Sequence, residues 1–375
     1  MKYAIGIVAL IWIFWLVWET IRVRRARAQL NHVIHVNGTR GKSTVSRLIE
    51  AGLRAGGIKV FCKTTGTDPI TIGVDGIERP VLRRGKPNIK EQIRILWQAA
   101  QQGAQVLVVE CMAVHPELQF AAQHQILRGD IGVITNVRWD HTDVMGKSLE
   151  EIGASLSNTI PRTGILFTAE RVTLTPIRAR AEKLGTPVRC ILPDGTEPRF
   201  DFPENIALAL AVCEYLGVDR QTALTGMGNY HRDPYALSLH TFGPALWING
   251  FSINDVQSTC LVYERLTRRL GLEAQQLIVL VNNRGDRGSR TEDMLQVCLH
   301  LAPSQVWLMG AGKGYMHQKL EKLLPHAQVV DISDTKQLTP ENMPENAVIF
   351  AIGNIAHEGR AVMEIIRRDG TELVY

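Results

Sequence analysis

The residues best suited to chemistry are Gly38, Thr39, Arg40, Gly41, Lys42, Ser43 and Thr44, which follow one another without a break. The run leaves a β-branched stretch ending at Val36 and enters an amphipathic stretch reaching Ala55. Glycines let backbone N–H groups converge on an anion, and the start of a helix adds partial positive charge. A lysine so placed bridges the outer phosphates of a nucleotide, and the serine after it ligates magnesium. The loop is shorter than G-x-x-x-x-G-K-S, because Val36 stands at the position of the first glycine.

Two further stretches carry polar groups at the ends of apolar runs. Val106 to Val109 ends in Glu110-Cys111, and Ile131 to Asn136 leads into Val137-Arg138-Trp139-Asp140-His141-Thr142-Asp143. A carboxylate at the C-terminal end of a buried parallel strand lies on the edge where doubly wound sheets bind ligands. Ser43, Glu110 and His141 are therefore candidates for one metal. Magnesium prefers oxygen, so chemistry alone does not select His141 over Asp140 or Asp143. His141 and Asp143 both qualify as a general base, and the sequence does not choose between them. No Ser-His-Asp arrangement stands out, and Cys111 reads as packed behind Glu110. Arg79, Arg83, Arg84 and Lys86 form a basic cluster suited to guiding an anionic substrate.

Positioning these groups requires a parallel α/β framework. Short β-branched runs at His32 to Val36, Lys59 to Lys63, Val106 to Glu110, Ile131 to Asn136, Ile165 to Thr168 and Val188 to Leu192 alternate with helical stretches. A linker is expected near His231 to Pro234. A second alternation begins at Ala245, with strands at Leu246 to Ile248, Leu277 to Val281, Gln305 to Met309, Gln328 to Asp331 and Ala347 to Ile352.

Of the formal net charge of +5, residues 1–30 supply +4, from Lys2, Arg22, Arg24, Arg25 and Arg27 against Glu19. The remainder is nearly neutral, so the basic balance does not indicate nucleic acid as a partner. Tyr3 to Trp18 is free of charge and is followed by arginines. A cleaved signal peptide has its charges in front instead. The pattern predicts an uncleaved N-terminal transmembrane helix, single-pass in a cell membrane, with the domains that follow held in the cytoplasm. The six cysteines are scattered singly and read as reduced thiols. The expected layout is a membrane anchor and basic segment over 1–28, a phosphate-loop central domain with a parallel sheet over 29–240, and a smaller Rossmann-like α/β domain over 241–375.

Taken together, NGTRGKST at 37–44, KTTGTD at 63–68, ECMAV at 110–114, DHTDVMG at 140–146, NGFSINDVQST at 249–259 and GNI at 353–355 resemble the Mur ligase superfamily of ATP-dependent amide-forming enzymes. Within it they are most similar to the ligase subunit of poly-γ-glutamate synthase. The resemblance implies ATP and Mg2+ as cofactors, glutamate and a growing poly-γ-glutamate chain as substrates, and small membrane subunits as partners. It implies chemistry through an acyl phosphate, releasing ADP and phosphate. It also implies phosphate and magnesium contacts from Gly38 to Thr44, metal ligation by Glu110 and His141, and an adenine-side role for Asn205. Asn136 joins the nucleotide site, and Asn254, Asp255, Arg284 and Arg287 are its candidates in the C-terminal domain. Two alternatives are a related ligase acting on an envelope or folate-like acceptor, and an anchored phosphate-loop ATPase or kinase.

Overall fold

The computed structural model describes residues 2–66, 68–83, 85–197, 202–253, 255–285 and 288–373. They fall into two units, Met1–Arg232 and Asp233–Tyr375. The first opens with α1 (Lys2–Ala28), β1 (His32–Asn37), α2 (Lys42–Ala55) and β2 (Val60–Thr64). A short antiparallel excursion, β3 (Ile70–Ile72) and β4 (Glu78–Pro80), precedes α3 (Glu91–Gln101) and β5 (Val106–Glu110). Then come α4 (Pro116–Phe120), running into a π-helical turn at Ala121–Leu127, β6 (Ile131–Ile134), α5 (Leu149–Leu156), β7 (Ile165–Thr168), α6 (Leu174–Lys183), β8 (Val188–Cys190), α7 (Pro203–Tyr215) and α8 (Arg220–Gly228).

The eight strands lie in the order β4-β3-β2-β5-β1-β6-β7-β8, and every neighbouring pair is parallel except β2 with β3 and β3 with β4. The central strands are apolar throughout because both faces are covered. Ile34 and Val36 of β1 face Val45, Leu48 and Ile49 of α2, backed by Leu208 and Val212 of α7, whereas Val33 faces Ile95, Leu96 and Ala99 of α3. Register decides the site: Val36 lies beside Glu110, and Asn37 beside Ile134. The segments leaving β1, β5 and β6 therefore emerge level at one carboxyl edge.

The second unit holds β9 (Ser238–Phe242), β10 (Ala245–Asn249), α9 (Val256–Leu270), β11 (Gln276–Asn283), α10 (Gly288–Leu301), β12 (Gln305–Gly310), α11 (Lys313–Leu323), β13 (Gln328–Asp331), β14 (Ala347–Gly353), α12 (Glu358–Asp369) and β15 (Thr371–Leu373). Its sheet order is β13-β12-β11-β14-β10-β9-β15. The first five strands are parallel, β9 pairs antiparallel with β10, and β15 pairs antiparallel with β9.

The α/β class with parallel sheets holds, but the N-terminal transmembrane helix does not. No helix among the described residues is long and apolar enough to cross a membrane. The physical reason lies in the second half of α1, which belongs to the core. Val23 and Ala26 are buried against Ile95, Leu96 and Ala99, Arg22 sits over the rings of Trp18 and Trp97, and Arg27 pairs with Asp130 at 2.8 Å. The exposed large apolar side chains run from Ile5 to Ile21. At 1.5 Å per residue that stretch rises about 25 Å, short of a hydrocarbon core of about 30 Å.

Candidate active site

Between β1 and α2 the chain turns through two left-handed glycines, Gly38 at φ +124° and Gly41 at φ +80°. A Cβ on Gly38 would lie 2.1 Å from Thr135 Oγ1, and one on Gly41 2.7 Å from Asn205 Oδ1, so only glycine fits either place. Asn205, in the first turn of α7, thus lies against the loop. Lys42 is curled over it, with Nζ donating to the carbonyls of Gly38 (2.7 Å) and Thr39 (3.1 Å). Ser43 Oγ donates to Glu110 Oε2 at 2.8 Å, and the Thr65 amide donates to the same oxygen at 2.6 Å. Glu110 is only 3% exposed. The predicted pair Ser43 and Glu110 is therefore in contact, as two oxygen donors of the kind a hard divalent cation takes. Thr44 follows in the first turn of α2.

The segment after β6 clamps the other side of the loop. The Thr39 amide donates to Asn136 O at 3.0 Å, and the Arg40 amide to Asn136 Oδ1 at 3.1 Å. Asn136 Nδ2 and Thr135 Oγ1 both donate to Arg40 O, at 3.0 and 2.6 Å. The Arg138 amide adds a bond to Thr39 Oγ1 at 3.0 Å. Asn136 thus serves both backbone groups of Arg40, while the Arg40 guanidinium stands 3.6 Å from Asp140. Beneath this clamp lies Glu170, 2% exposed, at the carboxyl end of β7. Its Oε2 accepts the Val137 amide at 2.7 Å, and its Oε1 accepts the amides of Arg171, Val172 and Thr173.

His141 has φ +45°, and its ring Nε2 is 3.8 Å from Asp140 Oδ1. Asp143 is exposed on the following turn. Among the described residues no three His, Cys, Asp or Glu side chains stand close enough to share a metal ion. Of the three nominated ligands, the contacts join Ser43 with Glu110 and set His141 beside Asp140.

Other expectations are redistributed. The basic cluster is partly neutralised, because Arg79 pairs with Asp75 and Arg83 with Glu91, and Arg84 lies outside the described residues. Lys63, missed in the sequence, is fully buried at the carboxyl end of β2, with Nζ 2.9 Å from Glu91 Oε1. Burial pushes its ammonium below the usual range, and Glu91 pulls it back. Cys111 is buried, and desolvation pushes its thiol up to about 11, so it stays protonated and unreactive. In the second unit Asp255 caps α9, accepting the Ser258 amide at 2.7 Å, and Arg284 follows β11. Asn254 and Arg287 lie outside the described residues. Thr65, Thr135 and Glu170 were also missed. Glu170 does carry the same signal as Glu110, a carboxylate just past an apolar strand.

Residues 36–166 match the Mur ligase middle domain family, and residues 235–369 match the poly-γ-glutamate synthase CapB C-terminal domain family. Over 98% of its length the chain is 34% identical to a capsule biosynthesis protein, CapB, of Bacillus anthracis, covering 83% of that protein. It is also 34% identical to the PGA synthase CapB of Bacillus subtilis (strain 168), over 89% of each chain. Among solved structures, the E. coli FolC complex with DHPP and ADP superposes with a TM-score of 0.67 at 17% identity, covering 92% of both chains. The folylpolyglutamate synthase/dihydrofolate synthase of Yersinia pestis, complexed with AMPPNP and Mn ion, gives 0.69 at 17% identity over 95% of this chain and 97% of that one. At that identity the two structures establish the fold alone.

Proposed function

This chain belongs to the poly-γ-glutamate synthase ligases of the Mur ligase superfamily, and we infer that its short phosphate loop, with Ser43 and Glu110, activates a glutamate carboxylate. The enzyme is an ATP-dependent amide ligase that polymerises glutamate into poly-γ-glutamate. The observation that carries the assignment of the site is the contact of Ser43 Oγ with Glu110 Oε2 at 2.8 Å, next to Lys42 at the start of α2.

A carboxylate is a poor acyl donor. In the proposed reaction its oxygen attacks the γ-phosphorus of ATP, ADP leaves, and the acyl phosphate is attacked by the amine of the second substrate. Phosphate then departs and the amine loses a proton, leaving the amide. Positioning and charge neutralisation do most of the work in phosphoryl transfer. Gly38 to Thr44 supply backbone N–H groups and the helix start, and Lys42 turns from its own loop carbonyls to the phosphates. Ser43 and Glu110 would hold a divalent ion, for which magnesium is our choice, supplying charge neutralisation at the phosphates. The relatives bound to ADP, or to AMPPNP with manganese, support a nucleotide and a divalent ion here.

Because the reaction consumes ATP, the proposal places both units in the cytoplasm. Membrane subunits of a polymer synthesis and export complex are the partners it expects, and the exposed apolar side chains between Ile5 and Ile21 are the surface offered to them.

The test adds hydroxylamine to protein, ATP, magnesium and glutamate. Glutamyl hydroxamate with ADP and phosphate is expected. AMP and pyrophosphate would mean adenylation and overturn the acyl-phosphate route.

A further inference from the structure

Residues 83–94 carry Arg83, Arg84, Lys86, Lys90 and Arg94 against the single acid Glu91, a net +4, whereas residues 31–375 together amount to only +1. The rest of that stretch is therefore net negative, and the positive charge is concentrated here. A chain of contacts ties the segment to the active edge. Glu110 accepts the amide of Thr65, Lys63 two residues earlier pairs with Glu91 at 2.9 Å, and Glu91 in turn accepts from Arg83 Nε at 2.7 Å. Glu91 lies in the first turn of α3, and Lys63 Nζ is 3.8 Å from Met112 Sδ, just past Glu110. The start of α3 is thereby fixed at the edge that carries the phosphate loop.

Glu91 is shared between Lys63 and Arg83, whereas Lys86, Lys90 and Arg94 are exposed and carry no ion pair among the described residues. Lys90, Arg94, Trp97 and Gln101 recur at spacings of four, three and four, which places them on one face of the helix. Trp97 and Gln101 also line the cleft between α3 and α1 that holds Arg22 and Arg25. The cations thus continue from the active edge along α3 into that cleft.

We propose that Lys86, Lys90 and Arg94 bind the growing γ-linked glutamate chain and lead it from the active edge along α3 toward Arg22 and Arg25. Each γ-linked residue keeps a free α-carboxylate, so the product carries one negative charge per residue. A single glutamate occupies one such position, and a longer oligomer several. A row of cations along a helix therefore discriminates by acceptor length, through the field it presents. The inference rests on the ligase reading above and adds where the acceptor lies.

The experiment measures elongation of short γ-glutamyl oligomers by the full-length protein. It compares the wild type with a Lys86→Glu/Lys90→Glu/Arg94→Glu variant and with an Arg178→Glu/Lys183→Glu variant, which reverses exposed cations on α6. In the first variant KM for the oligomer should rise about tenfold or more with KM for ATP little moved, product chains should shorten, and added salt should matter less than in the wild type. The α6 variant should keep the wild-type oligomer KM. If both variants behave alike while the wild type elongates oligomers, the track is wrong and the ligase reading stands. A wild type that shows no glutamate-dependent ADP release overturns both.

Discussion

At the residue scale, Lys42 directs its ammonium to the carbonyls of Gly38 and Thr39. Bound phosphates compete for the same ammonium, and little of the fold depends on it. Lys42→Ala should lower ATP turnover about 100-fold or more while the unfolding midpoint stays within a few degrees, read by ADP release and thermal unfolding. Near-normal turnover in the folded variant would sink the phosphate-loop assignment. A second prediction concerns His35, fully buried in β1, whose Nδ1 faces Gln123 Oε1 at 2.9 Å while Nε2 has no partner. Burial pushes it down to about 4, because a proton on Nε2 would be an unsatisfied buried donor. The folded state therefore binds fewer protons than the unfolded one between about pH 6.5 and 4. The stabilisation is present above the unfolded pKa and is lost as pH falls through that window, by about 2 to 3 kcal/mol. Urea unfolding at pH 7 and 4.5 should show this loss reduced in His35→Gln. An unchanged pH difference would refute it. Ser43 and Glu110 were legible in the sequence because each carries a local signal, a loop lysine before one and an apolar strand before the other. His35 carried none, since its burial comes from the π-helical turn that sets Gln123 over it.

At the element scale, the phosphate loop is held less by its own turn than by the segment after β6, and that segment by Glu170. One carboxylate oxygen accepts the Val137 amide and the other accepts three consecutive amides that open toward α6. Both oxygens are needed as acceptors. Glu170→Gln puts an amide donor against an N–H on one side or the other, which costs about 2 to 3 kcal/mol at a buried site. The clamp on Thr39 and Arg40 should loosen with it. The expected outcome is a lower unfolding midpoint together with a several-fold rise in KM for ATP and little change in KM for glutamate. A drop in stability with unaltered ATP affinity at low temperature would reduce Glu170 to a packing role. The parallel strands were readable because burial on both faces demands continuous apolar runs such as Val106 to Val109. The antiparallel-paired strands β3, β4, β9 and β15 were not. Three of them are three residues long, β4 is exposed throughout, and each takes its identity from the strand it pairs with.

At the scale of the whole molecule, the terminal helix shows why a charge-free run is ambiguous. Tyr3 to Trp18 reads as a membrane segment in isolation, yet the second half of the same helix is committed to packing: Val23 and Ala26 are 9% and 4% exposed, and both lie with Leu30, Ile95 and Leu96. Arg27 donates to Asp130 Oδ1 at 2.8 Å and to Arg128 O at 3.0 Å, tying α1 to the start of β6. The arginines that looked like a topological signal are in part structural, with Arg22 resting between Trp18 and Trp97. Two truncations separate the roles. A chain beginning at residue 18 keeps the ring contacts of Arg22, the buried pair and the Asp130 bridge, and should unfold within a few degrees of the full chain. A chain beginning at residue 29 loses all of them and leaves Ile95 and Leu96 partly uncovered. The cost should be about 2 to 4 kcal/mol, a fall in midpoint of about 5 to 15 °C for a unit of this size. The phosphate loop begins nine residues further on and makes its bonds to the segment after β6, so both truncated chains should still bind ATP below their midpoints. Thermal unfolding with and without nucleotide measures both effects. Equal midpoints for the two truncations would mean that the second half of α1 contributes nothing to the core, contrary to the burial of Val23 and Ala26.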